Sequence, residues 1–127
     1  MKKILTLDDD PQVLQCIKAA LDVKGCQTFI TTDFNIFFKL FREQEIDLVI
    51  LDICMPGKNG FEVFKELCQE KHPPVLFITA YSGSFSAESK MVMDLWENEF
   101  ADGTTDILYK PFTLGLLYKK VDSLIGP

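Results

Sequence analysis

The chain has 127 residues, a length that suits one domain and leaves too little for two independent cores. With 47% apolar and 25% charged residues, its composition is that of a globular protein, not of a disordered, collagenous or disulfide-framed one. The balance of 13 basic against 19 acidic residues leaves a net charge of −6, which repels nucleic acid phosphates and anionic lipid, so neither is expected as a direct partner.

In chain order, Lys3–Leu7 reads as the first strand. Met1, Lys2 and Lys3 mimic the charged start of a signal peptide, but Asp8, Asp9 and Asp10 end the apolar run far too early for one, so a cytoplasmic location is expected. No apolar stretch approaches the roughly 20 residues that span a bilayer. Asp10 and Pro11 read as the N-cap and first position of a helix striped by Leu14, Ile17 and Leu21, with Gly25 as its stop. A second strand, Gln27–Thr31, precedes a stripe of Phe34, Phe37, Phe38 and Phe41, which at helical spacing reads as core. The third strand, 47–51, contains Leu48, Val49, Ile50 and Leu51 in an unbroken apolar run, as a strand buried on both faces requires.

Asn59 is a candidate N-cap for a third helix marked by Phe61, Phe64 and Leu67, and Val75–Thr79 is a fourth strand, apolar at every position from Val75 to Ile78. A fourth helix within 86–100 is the least sharply marked element. Strand 106–109 follows, and Thr113 caps a last helix with Leu114, Leu117, Val121 and Leu124 on one stripe. Strands alternating with helices over short connections predict an α/β fold: a doubly wound sheet of five parallel strands, right-handed crossovers, and five helices on both faces.

In such a sheet, ligands bind at the carboxyl ends of the strands. Asp8 and Asp9 follow the first strand, Asp52 the third, Thr79 closes the fourth and Lys110 the fifth. Three carboxylates in one pocket call for a cation, and oxygen-only ligands suit Mg²⁺, which commonly bridges to a phosphoryl group. An aspartate beside such an ion can act as a nucleophile and form an acyl phosphate, with a hydroxyl (Thr79) and an ammonium (Lys110) as donors to the phosphoryl oxygens. The set reads as a phosphoaspartate site.

The sequence here resembles the receiver domains of two-component response regulators over nearly its whole length. The resemblance rests on residues 4–11 (ILTLDDDP), 48–60 (LVILDICMPGKNG), Ile78-Thr79-Ala80 and Lys110-Pro111-Phe112. It implies a flavodoxin-like fold, Asp52 as the phosphoacceptor, Asp8 and Asp9 as the acidic metal pair, and the backbone carbonyl of Cys54 as a further Mg²⁺ ligand. It also implies Thr79 as the switch hydroxyl, Lys110 as the phosphate-sensing cation, and a cis bond before Pro111 that turns Lys110 inward. Cys54 and Tyr81 would flank the path of the water that hydrolyses the acyl phosphate.

The sequence departs from the family pattern in two places. The aromatic switch position falls on Ile107, which has no ring. The stretch between Thr79 and Lys110 also exceeds the family's usual span by more than two helical turns, so the fourth helix or its flanking loops are extended.

The expected function is phosphoryl transfer from a histidine kinase or phosphotransfer protein onto Asp52 with Mg²⁺. This would switch affinity for a downstream protein partner or for an output domain not contained in these residues. A metal-dependent phosphohydrolase would need an acid/base two places after the nucleophile, where this chain has Cys54. A receiver-like interaction module that is never phosphorylated is the alternative, to which Ile107 leaves some room.

Asp10 reads as a cap only. The cysteines Cys16, Cys26, Cys54 and Cys68 read as reduced, mostly buried thiols, and His72 as a surface residue at the edge away from the aspartates. Trp96, with Met91, Met93 and Phe100, suits core and partner surface equally.

Overall fold

The computed structural model describes residues 1–53, 60–69, 71–79 and 105–126. Five strands, β1 (Lys3–Leu7), β2 (Gln27–Thr31), β3 (Leu48–Asp52), β4 (Val75–Thr79) and β5 (Thr105–Tyr109), pair in parallel in the order β2-β1-β3-β4-β5. This is the doubly wound, flavodoxin-like order that the alternation predicts. Strands β3 and β5 are shifted by a residue or so from the runs read off the sequence. Asp52 itself ends β3, because its backbone pairs with Ile78.

The helices are α1 (Pro11–Val23), α2 (Phe34–Glu43), α3 (Gly60–Leu67) and the C-terminal α4 (Leu114–Ile125). The helix expected within 86–100 lies outside the described residues, as do Cys54, Asn59, Tyr81 and Trp96.

The helix ends follow from local chemistry. Asp10 caps α1 by accepting the Gln12 N–H at 2.9 Å, and Thr113 caps α4 by accepting that of Leu116 at 3.1 Å. At the other end of α1, Gly25 takes a φ of 91°. Its N–H reaches the Asp22 carbonyl while that of Cys26 reaches Leu21, both at 3.0 Å. This is a Schellman stop, which a side chain at the left-handed position would strain. Asp33 caps α2 through the Ile36 N–H at 2.9 Å.

Two apolar layers sandwich the sheet. On one face Leu5, Leu7, Val49, Leu51, Val75 and Phe77 pack against Phe37 and Phe38 of α2 and Val63, Phe64 and Leu67 of α3. On the other, Ile4, Leu48, Ile50, Leu76, Ile78 and Leu108 meet Ile17, Ala20 and Leu21 of α1 and Leu117 and Val121 of α4. Alternation along each strand sends successive side chains into opposite layers, which is why β3 and β4 are apolar at every position before their last residues, Asp52 and Thr79. The phenylalanine stripe is core: Phe37 is fully buried, and its rings meet those of Phe38 at 5.1 Å and Phe41 at 6.5 Å.

Three expectations need correction. Leu114, read as part of the buried stripe of α4, is 54% exposed, because the helix packs on the sheet only from Leu117 onward. Cys16 and Cys68 are exposed and Cys26 half-buried, so the described cysteines are not mostly buried; Cys16 falls beside the apolar stripe of α1 and Cys68 follows the last turn of α3. His72 is not a plain surface residue, since it is half-buried with its ring against Phe64.

Candidate functional site

The chain leaves β1 for the edge strand β2 but leaves β3 for β4 on the opposite side, so the carboxyl ends of β1 and β3 flank the point where the sheet changes direction. In the β1–β3 pairing Leu7 stands opposite Leu51, so the next residues, Asp8 and Asp52, emerge side by side. Asp8 is fully buried and Asp52 nearly so, whereas Asp9 is exposed.

Two carboxylates withdrawn from water need partners, and Lys110 supplies a cation to both. Its ammonium donates to Asp8 Oδ2 at 3.0 Å and stands 3.5 Å from Asp52 Oδ2. The other Asp8 oxygen accepts the Asp10 N–H at 2.9 Å, so the residue that caps α1 also steadies the site. Burial alone would lower the Lys110 pKa. The hydrogen bond it donates to Asp8 and the negative charges of Asp52 and Asp8 outweigh it, holding the ammonium above its ordinary value.

Lys110 is placed by its own backbone, whose N–H donates to the Thr79 carbonyl at 2.7 Å and continues the β4–β5 ladder past Tyr109. Thr79, the last residue of β4, is fully buried. The Lys110–Pro111 peptide is cis, as the family resemblance implied.

One carboxylate oxygen from each of Asp8, Asp9 and Asp52 lies within 4.8 Å of the other two. Such a set of hard oxygens fits a divalent ion of the Mg²⁺ type, which takes a few carboxylates and keeps the rest of its shell for water or substrate. Of the expected site residues, the structure thus brings Asp8, Asp9, Asp52 and Lys110 together, with Thr79 linked to Lys110. Cys54 lies outside the described residues. Ile107 stands apart, half-buried opposite Phe77 and packed into the core layer, and Tyr109 is 48% exposed.

Sequence reasoning used Gly60 only as part of a motif, but the geometry needs it for space. Its N–H donates to the Ile53 carbonyl at 3.0 Å, and a Cβ there would collide with the Asp52 carbonyl oxygen and come within 3.0 Å of the Asp52 carbonyl carbon and the Ile53 Cα. The start of α3 therefore rests directly on the backbone of Asp52. The signal was a glycine in a helix's first turn, where no turn geometry asks for one.

Comparison with known proteins decides the family. The chain matches the family model of the response regulator receiver domain over residues 4–122. It belongs to that family. Receivers are signalling rather than catalytic domains.

Among curated relatives, this receiver is 36% identical over 122 residues to the response regulator RR06 of Streptococcus pneumoniae, covering 96% of this chain and 52% of that protein. It is 30% identical over 125 residues to the transcriptional regulatory protein CpxR of Klebsiella pneumoniae, covering 98% and 50%. The chain thus spans about half the length of the curated relatives it matches.

Among solved structures, it is similar to the chemotaxis protein CheY4 of Vibrio cholerae, with 27% identity, a TM-score of 0.77 and 98% of each chain covered. It is also similar to the response regulator TrrA of Thermotoga maritima, solved in complex with Mg²⁺ and BeF, with 32% identity, a TM-score of 0.76, and 98% and 99% of the two chains covered.

Proposed function

We infer that this receiver accepts a phosphoryl group on Asp52 from the phosphohistidine of a histidine kinase or phosphotransfer protein. The observation that carries the reading is the single cluster in which Asp8, Asp9 and Asp52 approach within 4.8 Å and Lys110 reaches both buried carboxylates. An Asp52 oxygen attacks phosphorus, the nitrogen–phosphorus bond of the donor breaks with its electron pair going to nitrogen, and the imidazole, already protonated on its other ring nitrogen, leaves as the neutral ring. Asp8, Asp9, Asp52 and the Cys54 carbonyl would hold Mg²⁺, which when bound would supply positive charge to offset that on the phosphoryl oxygens. Lys110 and the Thr79 hydroxyl donate to those oxygens once transfer has occurred, which draws both side chains toward Asp52. Hydrolysis of the acyl phosphate returns the resting state, so transfer and release are the chain's own chemistry, without turnover of a further substrate.

The readout is a change in affinity for a downstream protein or an attached output domain. Tyr109, Leu114 and Leu116 are 48%, 54% and 40% exposed, so β5 and the start of α4 present apolar surface on the side from which similar receivers signal. We read the 127 residues as one receiver unit in a cytoplasmic signalling protein. Among the described residues no helix is long and apolar enough to cross a membrane.

The test is labelling by acetyl phosphate in the presence of Mg²⁺, read as the mass gain of one phosphoryl group. The expected result is complete loss of label in Asp52→Asn, which keeps the side-chain volume. Persistent labelling of a folded Asp52→Asn chain removes Asp52 from the role and favours the unphosphorylated interaction module.

A further inference from the structure

Away from the aspartates, the described residues pair a nucleophile with a base at the far end of α3. Cys68 follows the last residue of that helix and is exposed. Four positions on, His72 brings its Nε2 to 3.9 Å from the Cys68 Sγ. The chemistry of the other ring nitrogen settles the tautomer. Nδ1 lies 2.8 Å from the Pro73 carbonyl oxygen, which can only accept, so Nδ1 carries the proton and Nε2 of the neutral ring offers its lone pair to the thiol.

The buried Phe64 holds the ring in an edge-to-face contact with centroids 5.8 Å apart. Nucleophile, base and the group that orients the base are therefore all present. The C-terminal end of a helix disfavours a standing thiolate. The thiol proton must then leave as sulfur attacks, and Nε2 is placed to receive it.

We propose that Cys68 is a modification site that takes up one half of a low-molecular-weight disulfide, with His72 as its base. Sγ attacks one sulfur of the disulfide and its proton passes to His72 Nε2. The reagent's S–S bond breaks as the Cys68 mixed disulfide forms, and the departing thiolate takes the proton from the imidazolium. One disulfide is consumed and one formed, so no further oxidant is needed. α3 is about 12 Å long and its other end rests on Asp52, so the modified sulfur lies outside the phosphoryl site and the inference stands independently of the receiver chemistry.

Cys16 is the internal control. It is also exposed, but His72 is the chain's only histidine, so no imidazole serves Cys16. An ordinary thiol is mostly protonated at neutral pH, so a base that takes the proton as sulfur attacks has room to raise the rate.

The experiment treats the whole chain with excess oxidised glutathione at pH 7 and follows the mixed disulfide at each cysteine by peptide mass mapping. Cys68 is expected to react about tenfold faster than Cys16 or more, and His72→Gln to bring it within about twofold of Cys16, whose own rate stays constant. The ratio in the unsubstituted chain needs no variant, and a value near one overturns the proposal. So does a folded His72→Gln chain in which Cys68 keeps its rate.

Discussion

At Lys110 one ammonium answers two buried carboxylates, 3.0 Å from Asp8 and 3.5 Å from Asp52. Its removal leaves Asp8, fully buried, without its cation. Lys110→Met is therefore expected to lower stability by about 3 kcal/mol in urea unfolding without Mg²⁺, in line with the cost of breaking a buried pair. Mg²⁺ should recover more of the loss in the variant than it adds to the parent, because the ion compensates the same carboxylates; equal Mg²⁺ gains would separate the metal site from the Lys110 pair.

The pH dependence has a definite sign. A cation whose folded pKa is raised stabilises fully below its unfolded value of about 10.4, and this stability disappears as pH rises through the raised value. The stability gap between parent and Lys110→Met should accordingly hold from neutral pH up to about 10 and shrink as pH rises further.

Between elements, the tightest fit is where α3 meets the end of β3. A methyl group at position 60 has no room against the Asp52 and Ile53 backbone, and backbone cannot swing aside as the tip of a side chain can. Gly60→Ala should cost about 1–3 kcal/mol through overpacking. It should also slow acetyl phosphate labelling at Mg²⁺ saturation in chains that remain folded, because the strain falls on the backbone that carries Asp52, the proposed phosphoacceptor.

The contact of α1 with α4 behaves differently. Tyr118 donates its hydroxyl to the Ala20 carbonyl at 2.8 Å, Lys24 lies 5.9 Å from the Tyr118 ring centre, and Lys24 pairs with Asp122. Tyr118→Phe removes one hydrogen bond of about 1 kcal/mol and keeps the ring. Chemical unfolding should register that loss while the labelling rate stays unchanged, since none of these groups is placed at Asp8, Asp9 or Asp52.

For the molecule as a whole, the question is how a phosphoryl group at one sheet edge is felt elsewhere. In similar receivers an aromatic ring fills the space vacated when the threonine moves; here that position is Ile107, packed into the layer beneath α2 and α3. Thr79 and Lys110 are joined by a backbone hydrogen bond of 2.7 Å, so a pull on one is felt by the other. The extended stretch from Tyr81 to Thr105 is, by sequence, the nearest candidate for the route of relief. It holds Trp96, the chain's single tryptophan, between Ser82-Gly83-Ser84 and Asp102-Gly103-Thr104. Beryllofluoride with Mg²⁺ should therefore change the Trp96 emission, and beryllofluoride without Mg²⁺ should not. Unchanged emission alongside altered partner affinity would place the route through α4 instead.

Local chemistry by itself determined the sheet and the helix ends. Unbroken apolar runs such as Leu48 to Leu51 can only be satisfied by burial on both faces, and Asp10, Gly25 and Thr113 end helices through hydrogen bonds to residues a few places away. The strand-end positions of Asp8, Asp52, Thr79 and Lys110 were legible for the same reason, because in a parallel sheet position along the strand decides which edge a residue reaches.

What lay beyond the sequence depends on distances between segments far apart in the chain. Only the fold decided that Lys110 reaches both Asp8 and Asp52, that Gly60 is needed for the room it leaves over Asp52, and that Leu114 stands clear of the sheet. It likewise turned His72 from a surface residue into one held between Phe64 and Cys68. Periodicity reports which face of its own element a residue occupies; what covers that face is set by packing against elements whose positions no local pattern encodes.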